Sequence, residues 1–147
     1  MKTRLLGFLG ATLLMMPMMS LAADDEYSYT EGSVLDITSV RTRPGMFDAY
    51  LQFLRSTYKP MMEEQKKAGI ILDYGVYSGS PKTPNEPDLY LVVVYKNMAA
   101  LDDLNAKTDP ISKKYWATLA AADKATADRE SIRQILGDEL IRELKLK

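Results

Sequence analysis

Apolar side chains recur along this chain in two rhythms. Over Ser33–Arg41 the apolar residues Val34, Leu35, Ile37 and Val40 are interleaved with Asp36, Thr38 and Ser39, the signature of a first strand. Arg43-Pro44-Gly45 then punctuates the chain, and Pro44 suits the first turn of a helix, where its missing N–H is not needed. From Met46 the rhythm lengthens. Phe47, Tyr50, Leu51, Leu54, Tyr58, Met61 and Met62 recur three and four apart, one face of an amphipathic helix, and Phe53 lies off the stripe. Burial of each stripe residue is worth roughly 1.5–3 kcal/mol. Pro60 removes a helix hydrogen bond and clashes with the preceding turn, so the pattern predicts a kink or short break near Tyr58-Lys59. A final turn should run to Ala68, with Gly69 as the stop.

Ile70–Ser78 and Asp88–Tyr95 read as the second and third strands. The loop between them, residues 79–87, carries Pro81, Pro84 and Pro87 and is too long for a two-residue hairpin turn. Asn97 is suited to cap a helix through Met98, Ala99, Ala100, Leu101 and Leu104. A further helix is expected to start at Asp109-Pro110, with Ile111, Tyr115, Leu119 and Ala122 on one side. Residues 123–128 are polar and fit helix or loop, and 129–138 are equally open. Ile132, Ile135, Leu136 and Leu140 keep a helical spacing, whereas Leu144-Lys145-Leu146-Lys147 alternates. Gly137 is the expected break and Glu139–Leu146 the expected fourth strand.

The central strands have no wet side. Strand two sets Ile70, Leu72, Tyr74 and Val76 against Ile71, Asp73, Gly75 and Tyr77. Strand three sets Leu89, Leu91, Val93 and Tyr95 against Tyr90, Val92 and Val94. A sheet with one solvated face alternates polar and apolar residues. Two or three helices cover one face, and an exposed apolar second face is rare in monomers. The pattern therefore predicts a homodimer formed by sheet-to-sheet packing, two-fold pairs being the commonest assemblies. The alternative is a monomer whose C-terminal helices wrap further round.

Composition narrows the chemistry. The 147 residues include 19 Lys+Arg and 20 Asp+Glu, with no Cys and no His. A near-neutral balance offers no polybasic face, so nucleic acid is not an expected partner. The absent Cys removes disulfides and thiolate metal sites, and the absent His removes the commonest general base, metal ligand and proximal haem ligand. No cofactor is expected.

Met1–Ala22 reads as a secretory signal peptide. Lys2 and Arg4 form the basic start, Leu5–Met19 an apolar run of about 15 residues, and Ser20-Leu21-Ala22 a small-residue cleavage site. A spanning helix needs roughly 20 apolar residues, so a signal anchor is the lesser reading. Five of the nine Met fall in this segment, where an apolar run explains Met-Met-Pro-Met-Met better than a copper site does. Loss of Lys2 and Arg4 leaves 17 basic against 20 acidic residues, a net charge of about −3. The expected organisation is a signal peptide over 1–22, an exposed acidic arm over 23–32, and one domain over 33–147. The expected location is periplasmic or secreted, with no membrane contact after cleavage.

The run Val40-Arg41-Thr42-Arg43-Pro44-Gly45-Met46-Phe47-Asp48-Ala49-Tyr50 resembles the strand, Lys/Arg-Pro-Gly, helix opening of the dimeric α/β-barrel proteins, which include antibiotic-biosynthesis-monooxygenase-like and NIPSNAP-like domains. Leu89–Tyr95 followed by Asn97-Met98-Ala99-Ala100-Leu101 resembles their third strand and next helix, and Tyr95 stands where those families commonly close the strand with an aromatic residue. The resemblance spans about Ser33 to Leu104. It implies an α+β, ferredoxin-like β-α-β-β-α-β protomer, here with an extra C-terminal helix, whose sheet pairs with a second copy to form a dimeric α/β barrel enclosing a pocket.

Fold does not choose among the chemistries such a pocket supports. Members that rely on histidine are excluded. Asp36, Asp73, Tyr77, Tyr95 and Asn97 are the candidate lining residues for a small apolar or aromatic ligand. A desolvated Asp can act as a base, which would suit a cofactor-free oxygenase or isomerase working on a small aromatic or quinol-type substrate. Against this, strand-end Tyr hydroxyls, edge Asp carboxylates and a capping Asn all have ordinary structural roles. Glu63-Glu64 and Asp102-Asp103 are sequence neighbours that diverge on a helix, so neither forms a metal cage. Lys66-Lys67 and Lys113-Lys114 read as solvated faces. No residue set demands catalysis, and the expected function is an exported dimeric module that binds a small ligand or serves a structural, stress-related role.

Overall fold

A computed structural model describes residues 27–147. The signal-peptide reading over 1–22 and the first part of the arm lie outside these residues. The chain forms β1 (Tyr29–Thr42), α1 (Phe47–Phe53), a π-helical turn (Leu54–Tyr58), α2 (Lys59–Lys67), β2 (Asp73–Ser78) and β3 (Leu89–Tyr95). A 3-10 turn (Met98–Leu101), α3 (Leu104–Tyr115), α4 (Leu119–Asp128), a second 3-10 turn (Arg129–Ser131) and β4 (Arg133–Leu146) follow. The four strands make one antiparallel sheet in the order β2-β3-β1-β4, the ferredoxin-like arrangement, in an α+β fold. The extra helix is α4. It precedes β4, the last element.

Several elements depart from expectation for identifiable reasons. β1 begins at Tyr29, not Ser33, because Tyr29, Thr30 and Glu31 pair with Leu146, Lys145 and Leu144 at the far end of β4. Residues 29–32 are therefore strand and not arm. The kink or short break expected near Tyr58-Lys59 takes the form of a wider turn and not a gap in the helix. The helix widens over Leu54–Tyr58, and Lys59 N–H bonds to the Leu54 carbonyl, one residue further back than an α-helix reaches. That wider turn makes room for the Pro60 ring without ending the helix. β2 starts three residues late, at Asp73, since Gly69 turns at φ 70° and Ile71 drops into the core. α3 begins at Leu104, behind Asp103 in the left-handed region at φ 53°, so Pro110 falls inside the helix instead of opening it.

The largest correction concerns the last strand. β4 spans 14 residues, and Gly137 lies within it, not at a break. Ser39 pairs with Gly137 but Val40 pairs with Ile135, so Leu136 is the extra residue of a β-bulge. One inserted residue brings two apolar side chains together and imitates a helical spacing. Asn97 does cap as expected, accepting from Ala100 N–H at 3.1 Å, although the element it caps is only a 3-10 turn.

The core lies on one face of the sheet, in two parts. Val34, Met62, Ile71 and Tyr95 form one buried cluster, and Val40, Tyr50, Leu54 and Leu89 the other. Val34 and Val40 are fully buried on β1, six residues apart and on the same face. The opposite face carries Leu35 and Ile37 of β1, Val92 and Val94 of β3, and Ile141 of β4, with Gly75 across from Val92. Asp73 and Glu139 stand at its margins. Among the described residues no helix is long and apolar enough to cross a membrane.

Candidate functional site

Between Val34 and Val40, strict alternation points two polar side chains, Asp36 and Thr38, toward the helices. They part the two core clusters. Tyr58, the last residue of the π-helical turn, packs against both clusters and so sits above this gap. The wide turn that Pro60 imposes is thus what presents Tyr58, and π-helical turns recur at functional sites. The Tyr58 hydroxyl is buried and finds no hydrogen-bond partner among the described residues. Buried hydroxyls are normally satisfied, and an orphan one costs about 1–3 kcal/mol.

The neighbours of Tyr58 are aromatic and acidic. Its ring meets Tyr74 edge-on at 6.1 Å between centroids, and Tyr50, Tyr95, Tyr74 and Asp36 all act on it electrostatically. Burial above all, then these neighbours, holds the Tyr58 phenol far above its ordinary range. Burial also raises Asp36, helped by the charge of Asp138, which lies diagonally across on β4. Tyr95 is raised by burial and by Asp36 in turn. Tyr74 differs because its hydroxyl donates to Glu63 at 2.7 Å; burial and that bond push it up to about 12. Asp36 accepts no hydrogen bond and joins no ion pair among the described residues. Leu140, half exposed, lies beside it on β4.

The five residues expected to line one pocket are divided. Asp36 and Tyr95 come together under the helices. Tyr77 lies on the other face of the sheet, and Gly75 leaves space for its ring. Asp73 is exposed at the sheet margin, bound to Lys66 at 2.7 Å, and that ion pair lowers its carboxyl. Asn97 is committed to its cap. Tyr58 escaped notice because its place in the apolar stripe hides the orphan hydroxyl; the signal available was Pro60 two residues later, which forces the backbone open.

Away from this cluster, a concavity of about 520 Å³ opens between Arg41–Gly45 and the proline-rich loop. Its arginines are already engaged. Arg41 donates to Gln134 at 2.7 Å and to the Pro84 carbonyl, and Arg43 to the Glu130 carbonyl at 3.1 Å, while Thr42 N–H is held by Asp88 at 3.0 Å. This is a clamp on the loop, not an anion site. Among the described residues no group of three or more Asp or Glu is placed to hold a metal ion.

No family model matches this chain, and no curated protein does. Among solved structures, HapK from Hahella chejuensis is similar over 75% of this chain and 91% of its own, at 10% identity and a TM-score of 0.50. Protein SO0527 from Shewanella oneidensis is similar over 80% of this chain and 96% of its own, at 14% identity and a TM-score of 0.47. The likeness to HapK extends to fold alone, and it agrees with the ferredoxin-like topology of the sheet.

Proposed function

We propose that this protein is an exported homodimeric module that binds a small, largely apolar ligand between its sheet and its helices, at Tyr58, Asp36 and Tyr95. The observation that carries the reading is the buried Tyr58 hydroxyl with no partner. A ligand oxygen or nitrogen reaching it would relieve the cost of that orphan group. The residues around it supply aromatic surface for the rest of the molecule. Homodimerisation is supported by the apolar face formed by Leu35, Ile37, Val92, Val94 and Ile141, which two copies would cover by packing sheet on sheet into an α/β barrel. Export rests on the Met1–Ala22 pattern.

The test pairs two measurements on the purified protein. Light scattering should report a dimer at micromolar concentration, and a monomer overturns the barrel. A thermal-shift screen of small aromatic alcohols, ketones and amines should find ligands whose stabilisation is lost in Tyr58→Phe. Hits that survive that substitution would place binding elsewhere.

A second reading is proton abstraction from a bound phenolic substrate, as in a cofactor-free oxygenase or isomerase. What favours it is Asp36, a half-buried carboxyl beside Tyr58 and Tyr95 that burial, and then Asp138, raise above the ordinary value. Turnover of quinol-type substrates with dioxygen, abolished in Asp36→Asn, would select it over simple binding.

A further inference from the structure

We propose that the Asp36 end of this cluster is a subsite for a protonated amine, so that the ligand is an aromatic or apolar amine and not a neutral or anionic molecule; this rests on the ligand-binding reading above. Asp36 is half-buried, and the one charge acting on it comes from Asp138, of the same sign. Neither carboxylate has an ion-pair or hydrogen-bond partner among the described residues. The arginines of this sheet face are committed elsewhere, Arg142 to Glu31 and Arg133 to Glu130. A half-buried carboxylate without a cation is unfavourable, and a second carboxylate beside it makes the local field favour a positive guest. The remaining neighbours agree with that sign. The rings of Tyr58, Tyr74 and Tyr95 carry negative faces that attract an ammonium group, and the orphan Tyr58 oxygen can accept one of its N–H bonds. Leu140 lies directly across from Asp36 on β4 and is 51% exposed, which gives the apolar body of such a ligand a surface to rest on.

Three probes of nearly equal shape separate charge from fit: 2-phenylethylamine, 2-phenylethanol and phenylacetate, titrated calorimetrically into the purified protein at neutral pH. The amine should bind about tenfold more tightly than the alcohol, a difference of the size expected for a partly desolvated cation among aromatic rings, and phenylacetate should bind most weakly. Asp36→Asn should abolish the amine's advantage over the alcohol, while Tyr58→Phe should weaken both. Phenylethanol or phenylacetate matching the amine, or the amine keeping its advantage in Asp36→Asn, overturns the charge assignment and leaves the ligand site standing. Failure of all three probes to bind, or binding indifferent to Tyr58→Phe, overturns the site and this assignment together. Circular dichroism of each variant confirms that the fold is intact.

Discussion

The ring of Tyr77 folds back over Gly75 so closely that a Cβ on Gly75 would stand 2.7 Å from the ring's Cε2 atom. Gly75 is paired with Val92, which is only 9% exposed although it belongs to the face away from the helices. The glycine therefore lets a tyrosine lie flat where a strand would otherwise present a knob.

Gly75→Ala tests what that arrangement is for. The contact is with the free end of a side chain that is 58% exposed, so the ring swings aside at little cost. Protomer stability should change by no more than about 0.5 kcal/mol. If two sheets pack face to face, however, the displaced ring stands in the interface. The dimer dissociation constant, measured by analytical ultracentrifugation, should then rise about tenfold, or ~1.4 kcal/mol. An unchanged constant would remove Tyr77 from the interface.

Tyr58→Phe should make the ligand-free protein more stable. The substitution removes a buried hydroxyl that has no partner and keeps the ring that fills both core clusters. The expected gain is about 1–3 kcal/mol, read as a higher denaturant midpoint at unchanged slope. A gain in stability joined to a loss of ligand response is the trade expected of a site residue. Destabilisation instead would mean that the hydroxyl has a partner in solution.

The two periodicities were enough to reveal most of the scaffold. Period two marked β1 and β3 and the apolar second face, and period 3.6 marked the helix through Tyr50, Leu54 and Met62. What they obscured was every irregularity, for a common reason. A residue's spacing reports which face it occupies only while the backbone is regular, and here three local distortions reset the count. The π-helical turn before Pro60 carried the helix through the point where proline argued for a kink or short break. The bulge at Leu136 made a strand imitate a helix. The late start of β2 followed from Gly69 turning at positive φ. The site was half legible. Asp36 and Tyr95 were singled out as polar groups on core strands, but their partner Tyr58 looks like any other stripe residue, and Asp73, Tyr77 and Asn97 are drawn off by an ion pair, the second face and a cap.

Leu89→Ala and Leu146→Ala measure how unequal the apolar residues are. Leu89 is 1% exposed and touches the cluster of Val40, Tyr50 and Leu54, whereas Leu146 is 82% exposed at the tip of the β1–β4 ribbon. Truncating Leu89 leaves a cavity under the helix and should cost about 2–5 kcal/mol. Truncating Leu146 should cost no more than about 0.5 kcal/mol. Urea unfolding of the two variants gives the comparison directly. A large loss at Leu146 would show that the ribbon tip is covered in solution.

Asp36→Asn has an effect on stability whose sign depends on pH. Burial and Asp138 raise the folded-state pKa of Asp36 above its ordinary 3.8. Below that ordinary value the carboxyl is protonated in both folded and unfolded chains and contributes nothing. As pH climbs through the raised pKa, the unfolded chain ionises more readily than the folded one, so the folded state loses stability relative to its acid-pH value. Asp73 and Glu64 act in the opposite sense. Lys66 lowers the first, and Lys114 with Tyr115 the second, so their contributions are present above the ordinary carboxylate range and fade as pH falls. Wild-type stability mixes both trends, but the difference between wild type and Asp36→Asn isolates the first. The melting temperature of Asp36→Asn should exceed that of wild type at pH 7, with the gap narrowing steadily toward pH 3.5, apart from a constant offset for the new amide. A gap that widens on acidification would mean that Asp36 is held by a cation in the folded protein, and the uncompensated carboxylate would no longer be available to a ligand.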